Sequence, residues 1–129
     1  MAVAGTLESL ARELFDSLDR KDFERIMRLA TDDVQGIDEI SRGWLRGRAA
    51  MDGYLKSLGQ QVSNIRSTLS ELHTVEVGDV GILTLVLDQE YDMGGKRTSI
   101  HAPTSIVARR VDGDWRMVLL HSVPLAAES

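Results

Sequence analysis

An α+β domain, three N-terminal helices laid across a curved antiparallel sheet, is the architecture this sequence predicts. Apolar residues recur at helical spacing as far as Leu58, and beyond Gly59 the period falls to two over four successive stretches. The connections between those stretches, Val77-Gly78-Asp79, Asp92-Met93-Gly94-Gly95-Lys96 and Val111-Asp112-Gly113-Asp114, have the glycine chemistry of antiparallel hairpins. A chain of 129 residues supports one core and is short for two ordinary domains, so residues 1–129 are expected to form a single domain. Helices gathered on one face of a bent sheet leave a conical hollow between the two layers.

Thr6 is placed to cap a first helix, in which Leu7, Leu10, Ala11, Leu14, Phe15 and Leu18 share one face. Asp22 caps a second, with Phe23, Ile26, Met27 and Ala30 as its stripe and Glu24, Arg25 and Arg28 towards water. Thr31-Asp32-Asp33 is expected to close that helix. Val34 to Ile40 then reads as a short strand interrupted by Gly36, and Gly43 to Gly47 as a loop. Ala50, Met51, Tyr54, Leu55 and Leu58 predict a third helix, with Gly59 as the residue that stops it. Strands are predicted at Val62 to Val77, Gly81 to Asp92, Arg97 to Val111 and Trp115 to Val123.

Composition removes several classes of function. Fifteen Lys and Arg against twenty Asp and Glu give a net charge of -5, which argues against nucleic-acid and anionic-membrane partners. With no cysteine there is no disulfide framework, thiolate nucleophile or Cys-ligated metal. His73, His101 and His121 show neither His-x-His nor His-Glu-x-x-His spacing, so no metal and no cofactor is expected. The opening residues lack a basic stretch followed by an apolar run, and no apolar segment is long enough to span a bilayer. Both predict a soluble, cytoplasmic protein.

The element order, with Ala30-Thr31-Asp32-Asp33 after the helix hairpin, Gly47-Arg48-Ala49-Ala50-Met51 before the third helix and a final strand Trp115-Arg116-Met117-Val118-Leu119-Leu120-His121-Ser122-Val123-Pro124, resembles the nuclear transport factor 2-like superfamily. The SnoaL-like and ketosteroid isomerase-like members are the nearest in look, and the Trp-Arg-x-x-x-x-His-Ser ending is also similar to the association domain of calmodulin-dependent kinase II. The resemblance spans nearly the whole chain. It implies a cone-shaped sheet around a ligand pocket and a homodimer formed through the outer sheet face. It does not imply one chemistry, because the superfamily holds isomerases, polyketide cyclases, dehydratases, transport factors and assembly domains.

Asp38 lies five residues beyond Asp33, the spacing at which the isomerase branch carries its proton-abstracting carboxylate. An apolar cavity that raised its pKa would let it move a proton beside a carbonyl; the plainer alternative is a solvated loop acid next to Glu39. The enolate-holding donors of that branch are replaced, Leu14 standing for the tyrosine and Thr104 for the protonated carboxyl, which disfavours steroid isomerisation. Strict alternation through Trp115, Met117, Leu119, His121 and Val123 puts His121 on the cavity face as acid, base or anchor, or as a histidine bonded to backbone or Ser122 at the sheet end. His101, an odd number of residues from Thr104, falls on the opposite face. Trp44, Tyr54, Tyr91, Thr104 and Met117 are the expected substrate contacts, Trp44 as a lid or a plug and Tyr54 equally as core packing.

Two functions follow. One is a small-molecule-binding domain, with isomerase, cyclase or dehydratase-type acid–base chemistry on a small apolar carbonyl compound, using Asp38 and His121 in one void of about 300 Å³ or more. The other is a non-catalytic dimerisation or assembly domain with a vestigial hollow.

Overall fold

The computed structural model describes residues 5–38 and 41–126, and within them Thr6 opens the first helix, α1 (Leu7–Asp19), as its position predicts. Its hydroxyl accepts the Ser9 N–H at 3.0 Å while the Ser9 hydroxyl accepts the Thr6 N–H at 3.1 Å, so two otherwise orphaned donors are satisfied reciprocally. Leu7, Leu10, Ala11, Leu14 and Phe15 are all buried, the stripe that the spacing predicts. The second helix, α2 (Phe23–Arg28), is capped by Asp22, whose carboxylate accepts the Arg25 N–H at 3.2 Å.

That helix is shorter than its apolar stripe. Ala30 opens the first strand, β1 (Ala30–Asp38), and pairs with Met117, so Thr31-Asp32-Asp33 belong to a strand and do not close a helix. Thr31 is β-branched and buried, and its hydroxyl donates to the Met117 carbonyl at 3.4 Å. The segment expected as a loop is an edge strand, β2 (Gly43–Arg46), pairing Ile37 with Trp44 and Gly36 with Leu45. The predicted end of β1 at Ile40, and Glu39 with it, lie outside the described residues.

The third helix, α3 (Arg48–Gln61), runs through Gly59 instead of stopping there. A Cβ at that position would fall 2.6 Å from the Phe23 ring, so glycine serves the close approach of α2 and not a helix end. Four strands follow, β3 (Val62–Val77), β4 (Val80–Met93), β5 (Lys96–Val111) and β6 (Asp114–Ser122), with a two-residue β7 (Leu125–Ala126). Their hairpin turns carry positive φ at Gly78, at Gly94 and Gly95, and at Asp112 and Gly113, as right-twisted hairpins require.

The strand order is β2-β1-β6-β5-β4-β3, with β7 on β5. Every pairing is antiparallel except β1 with β6, which is parallel and so departs from the all-antiparallel sheet expected. Four irregularities interrupt the ladders of this sheet, one of them where β1 meets β6, between Ala30 and Gln35. On β3 the register slips between Ser63 and Arg66 and between Ser70 and His73, where Asn64 and Glu71 adopt φ of 52° and 53°. On β6, Met117 pairs with Ala108 and Leu119 with Val107, leaving Val118 as an extra residue.

The first bulge is tied down by Asp92, whose carboxylate accepts from Asn64 Nδ2 at 2.7 Å and Arg97 at 3.2 Å. These two donors, Asn64 foremost, hold the Asp92 carboxyl below its ordinary value of 3.8. A depressed carboxylate stabilises the fold in full above its unfolded value and loses that contribution as pH falls through the lower native value. On going from about pH 5 to about pH 3, wild type is therefore expected to lose more stability to urea than Asp92→Asn; equal losses would contradict this.

One face of the sheet carries the core: Leu83, Leu85 and Leu87 of β4, Ala102, Thr104 and Ile106 of β5, and Trp115 and Met117 of β6 are buried beneath the helices. The other face stays open. Val75, Val77, Val80 and Ile82 are exposed on it, joined through the pairs Val75 with Ile82 and Val77 with Val80.

Candidate functional site

The inward row of β4 continues past Leu87 through Gln89, Tyr91 and Met93, and there the helices no longer seal the sheet. Two adjoining hollows of about 140 Å³ and 120 Å³ open at this end, sharing Leu18, Tyr54, Leu58, Gln89 and Ile100 in their walls. The first is completed by Val62, Ile65, Tyr91 and Met93. The second reaches deeper, to Phe15, Gly36, Met51, Leu87, Leu120 and Ser122. Gly36 lets α3 close on β1: a Cβ there would lie 2.8 Å from the Met51 methyl.

Of the residues expected at the site, Tyr54 and Tyr91 stand in these walls; the walls of neither hollow include Asp38, His121, Trp44, Thr104 or Met117. His121 is displaced by the β6 bulge. Val118 is accommodated as an extra residue, so the alternation that buries Trp115 and Met117 resumes on Leu120 and Ser122, and His121 pairs with Ser105 on the outer face. The expectation that put His121 on the cavity face is corrected accordingly. Ser122 takes its place, paired with buried Thr104 and bonded to it, Oγ to Oγ1, at 2.9 Å. Thr104 thus supports a wall residue from behind.

Asp38 ends β1, half-buried, two residues beyond the wall residue Gly36, and its carboxylate accepts the Ser41 N–H at 3.3 Å. The structure does not bring it together with His121. Trp44 is 53% exposed on the edge strand, with the Arg46 guanidinium 5.6 Å over its ring. Met117 lies in the closed core, 1% exposed. His101 is on the outer face as predicted, its Nδ1 2.6 Å from the Asp88 carboxylate opposite.

Two polar wall residues, Gln89 and Ser122, stand outside the expected set. Gln89 had a readable signal, a polar residue in the alternating row Leu83, Leu85, Leu87; Ser122 had none, because the bulge hides its parity. Gln89 is held from outside the hollow. Its Nε2 donates to Ser67 Oγ at 3.1 Å, and Ser67 donates both its hydroxyl, at 2.6 Å, and its N–H, at 2.9 Å, to the carboxylate of Asp19 at the end of α1. Among the described residues no cluster of three His, Asp or Glu side chains is placed to hold a metal ion, and no helix is long and apolar enough to cross a membrane.

Helices packed on one side of a bulged, curved sheet with an apolar hollow at the open end define an NTF2-like fold. The family model that matches is that of the SnoaL-like domain, over residues 7–126, and the chain belongs to this family. None of the curated proteins matches it. Among solved structures, the chain is similar to a ketosteroid isomerase-like protein from Erwinia carotovora atroseptica, with 14% identity, TM-score 0.82 and coverage of 94% of this chain and 95% of that one. A protein described as a dehydratase of the NTF2-like family, from Streptomyces avermitilis, superposes with TM-score 0.82 at 19% identity over 92% of each chain. A protein described as a calcium/calmodulin-dependent protein kinase type II association domain, from Thiobacillus denitrificans, shares 25% identity over 97% of this chain and 99% of its own, with TM-score 0.77.

Proposed function

We propose that this SnoaL-like domain binds one small, mostly apolar molecule of single-ring size in the hollow between α1, α3 and the open end of the sheet. The observation that carries this is the wall itself: apolar side chains, mostly aliphatic with Phe15, Met51 and Met93 among them, and Tyr54, Gln89, Tyr91 and Ser122 as the polar groups among the described residues. Its size sets the ligand. An apolar cavity of about 150 Å³ accommodates benzene, whereas drug-sized ligands fill about 300 Å³ or more. Lobes of about 140 and 120 Å³ suit one ring and exclude a four-ring steroid. Among the described residues the walls hold no carboxylate and no imidazole, and what they do hold, an apolar lining with amide and hydroxyl groups, supports binding. Any turnover of isomerase, cyclase or dehydratase type would draw on Asp38, at the end of β1. Calorimetric titration with toluene tests the reading: saturable binding of one molecule per chain is expected, with none for a steroid, and no saturable toluene binding overturns it.

The outer face favours a second reading, compatible with the first. Val75, Val77, Val80 and Ile82 form a continuous exposed apolar patch, the feature by which self-association surfaces are recognised. Similarity to an association domain points the same way. A homodimer through this face is expected in sedimentation equilibrium, and Ile82→Lys should return it to monomer; monomeric wild type at about 100 µM would contradict this.

A further inference from the structure

We infer that the hollow selects ligands that donate a hydrogen bond, and that Asp19 and Ser67, which lie outside it, set this preference by fixing which end of the Gln89 amide faces inward. The inference rests on the hollow being a ligand site and specifies the class of ligand: a ring bearing a hydroxyl, in preference to a ketone, ether or nitrile of the same size.

The argument is one of proton inventory. An ionised carboxylate only accepts hydrogen bonds, and a serine hydroxyl has one proton. Ser67 commits that proton to Asp19 at 2.6 Å, with its N–H fastened to the other carboxylate oxygen at 2.9 Å. Whatever else meets Ser67 Oγ must donate. Gln89 is the residue directly opposite on β4, and it meets Oγ at 3.1 Å through Nε2. The flipped amide has nearly the same shape, yet would set Oε1 against an oxygen with no proton to offer, two acceptors face to face. The nitrogen therefore stays on the α1 side, towards Ser67, which is not a wall residue, and the oxygen turns to the hollow. Oε1 makes no hydrogen bond to any described residue.

Ser122 repeats this polarity independently. Buried Thr104 gives its own proton to the Ala102 carbonyl at 3.0 Å, so in the 2.9 Å contact between the hydroxyls Ser122 is the donor. Its lone pairs are what it offers the second hollow, whose wall it forms. The Tyr91 hydroxyl can donate or accept and so discriminates neither way. Gln89 Oε1 and Ser122 Oγ are thus both acceptors, and a ligand acceptor meeting them is left unpaired.

Gln89 is thus the specificity residue, and Asp19 and Ser67 are positioning residues. The test is the ratio of affinities for phenol and benzonitrile, with toluene as the size control, in wild type, Ser67→Ala, Ser67→Thr and Asp19→Asn. Wild type is expected to favour phenol. Ser67→Ala releases the amide and should lower the phenol-to-benzonitrile preference about tenfold with toluene affinity unchanged, while Ser67→Thr keeps the hydroxyl and the preference. Asp19→Asn should reverse it. Its carboxamide oxygen must face the Ser67 N–H, which puts its NH₂ against Oγ and frees the hydroxyl proton for Gln89, whose oxygen then turns towards Ser67 and its nitrogen to the hollow.

A preference unchanged in both Ser67→Ala and Asp19→Asn, with toluene still bound, overturns the inference and spares the hollow. Failure of wild type to bind any of the three probes overturns the ligand reading, and the inference falls with it. A ligand-free measurement covers variants that do not fold: NMR of wild type should show NOEs from the Gln89 side-chain amide protons to the Ser67 β-protons, and their absence overturns the proposal.

Discussion

Trp115→Ala is expected to cost about 3–5 kcal/mol, the largest loss of any single side chain in the core. Trp115 is 1% exposed and seals the closed end of the sheet. On one side it meets Leu7 of α1 and the backbone of Gly81, where a Cβ would lie 3.1 Å from its ring and 2.6 Å from Leu7. On the other side the Arg110 guanidinium stacks at 4.3 Å, itself paired with Glu76 at 3.2 Å. Alanine removes the indole from between these neighbours, so a cavity term adds to the lost transfer energy. Since domains of this kind have about 5–15 kcal/mol in total, the variant should unfold at far lower urea concentration. A loss under about 1 kcal/mol would contradict this packing.

Ile100→Trp is expected to do the reverse, abolishing binding while leaving the fold. Ile100 belongs to both hollows, at the end of the sheet away from Trp115. A larger ring placed there grows into empty space, not into packed side chains, so the overpacking penalty of a closed core does not arise. It occupies the volume a ligand would use. Burying one apolar ring contributes about 2 kcal/mol, so toluene affinity should fall by about thirtyfold or more. Ile82→Trp on the outer face is the control and should leave toluene affinity unchanged. Equal losses in the two variants would mean that binding is not in the hollow.

The contrast between these ends shows what a sequence of this kind discloses. The α1 stripe is an uninterrupted helical pattern with a capping residue before it, and the Gly94-Gly95 and Asp112-Gly113 turns are local chemistry, so helix and hairpins are readable directly. The start of β1 was not, because Ala30 continues the α2 spacing and only its pairing with Met117, distant in the chain, makes it a strand. Gly59 reads as a helix end until the Phe23 ring is seen above it. The run Met117-Val118-Leu119-Leu120 is wholly apolar, so nothing in it marks the bulge that moves His121 out and Ser122 in. Gln89 is visible as the polar member of an apolar row, whereas the Asp19 and Ser67 that orient it stand 48 residues apart.

Ligand-to-protein NOEs from toluene to a methyl-labelled sample test the account at its centre. At saturation they should fall on the methyls of Leu58, Leu87 and Ile100. NOEs confined to Val75, Val77 and Ile82 on the opposite face, or none at all, would contradict it.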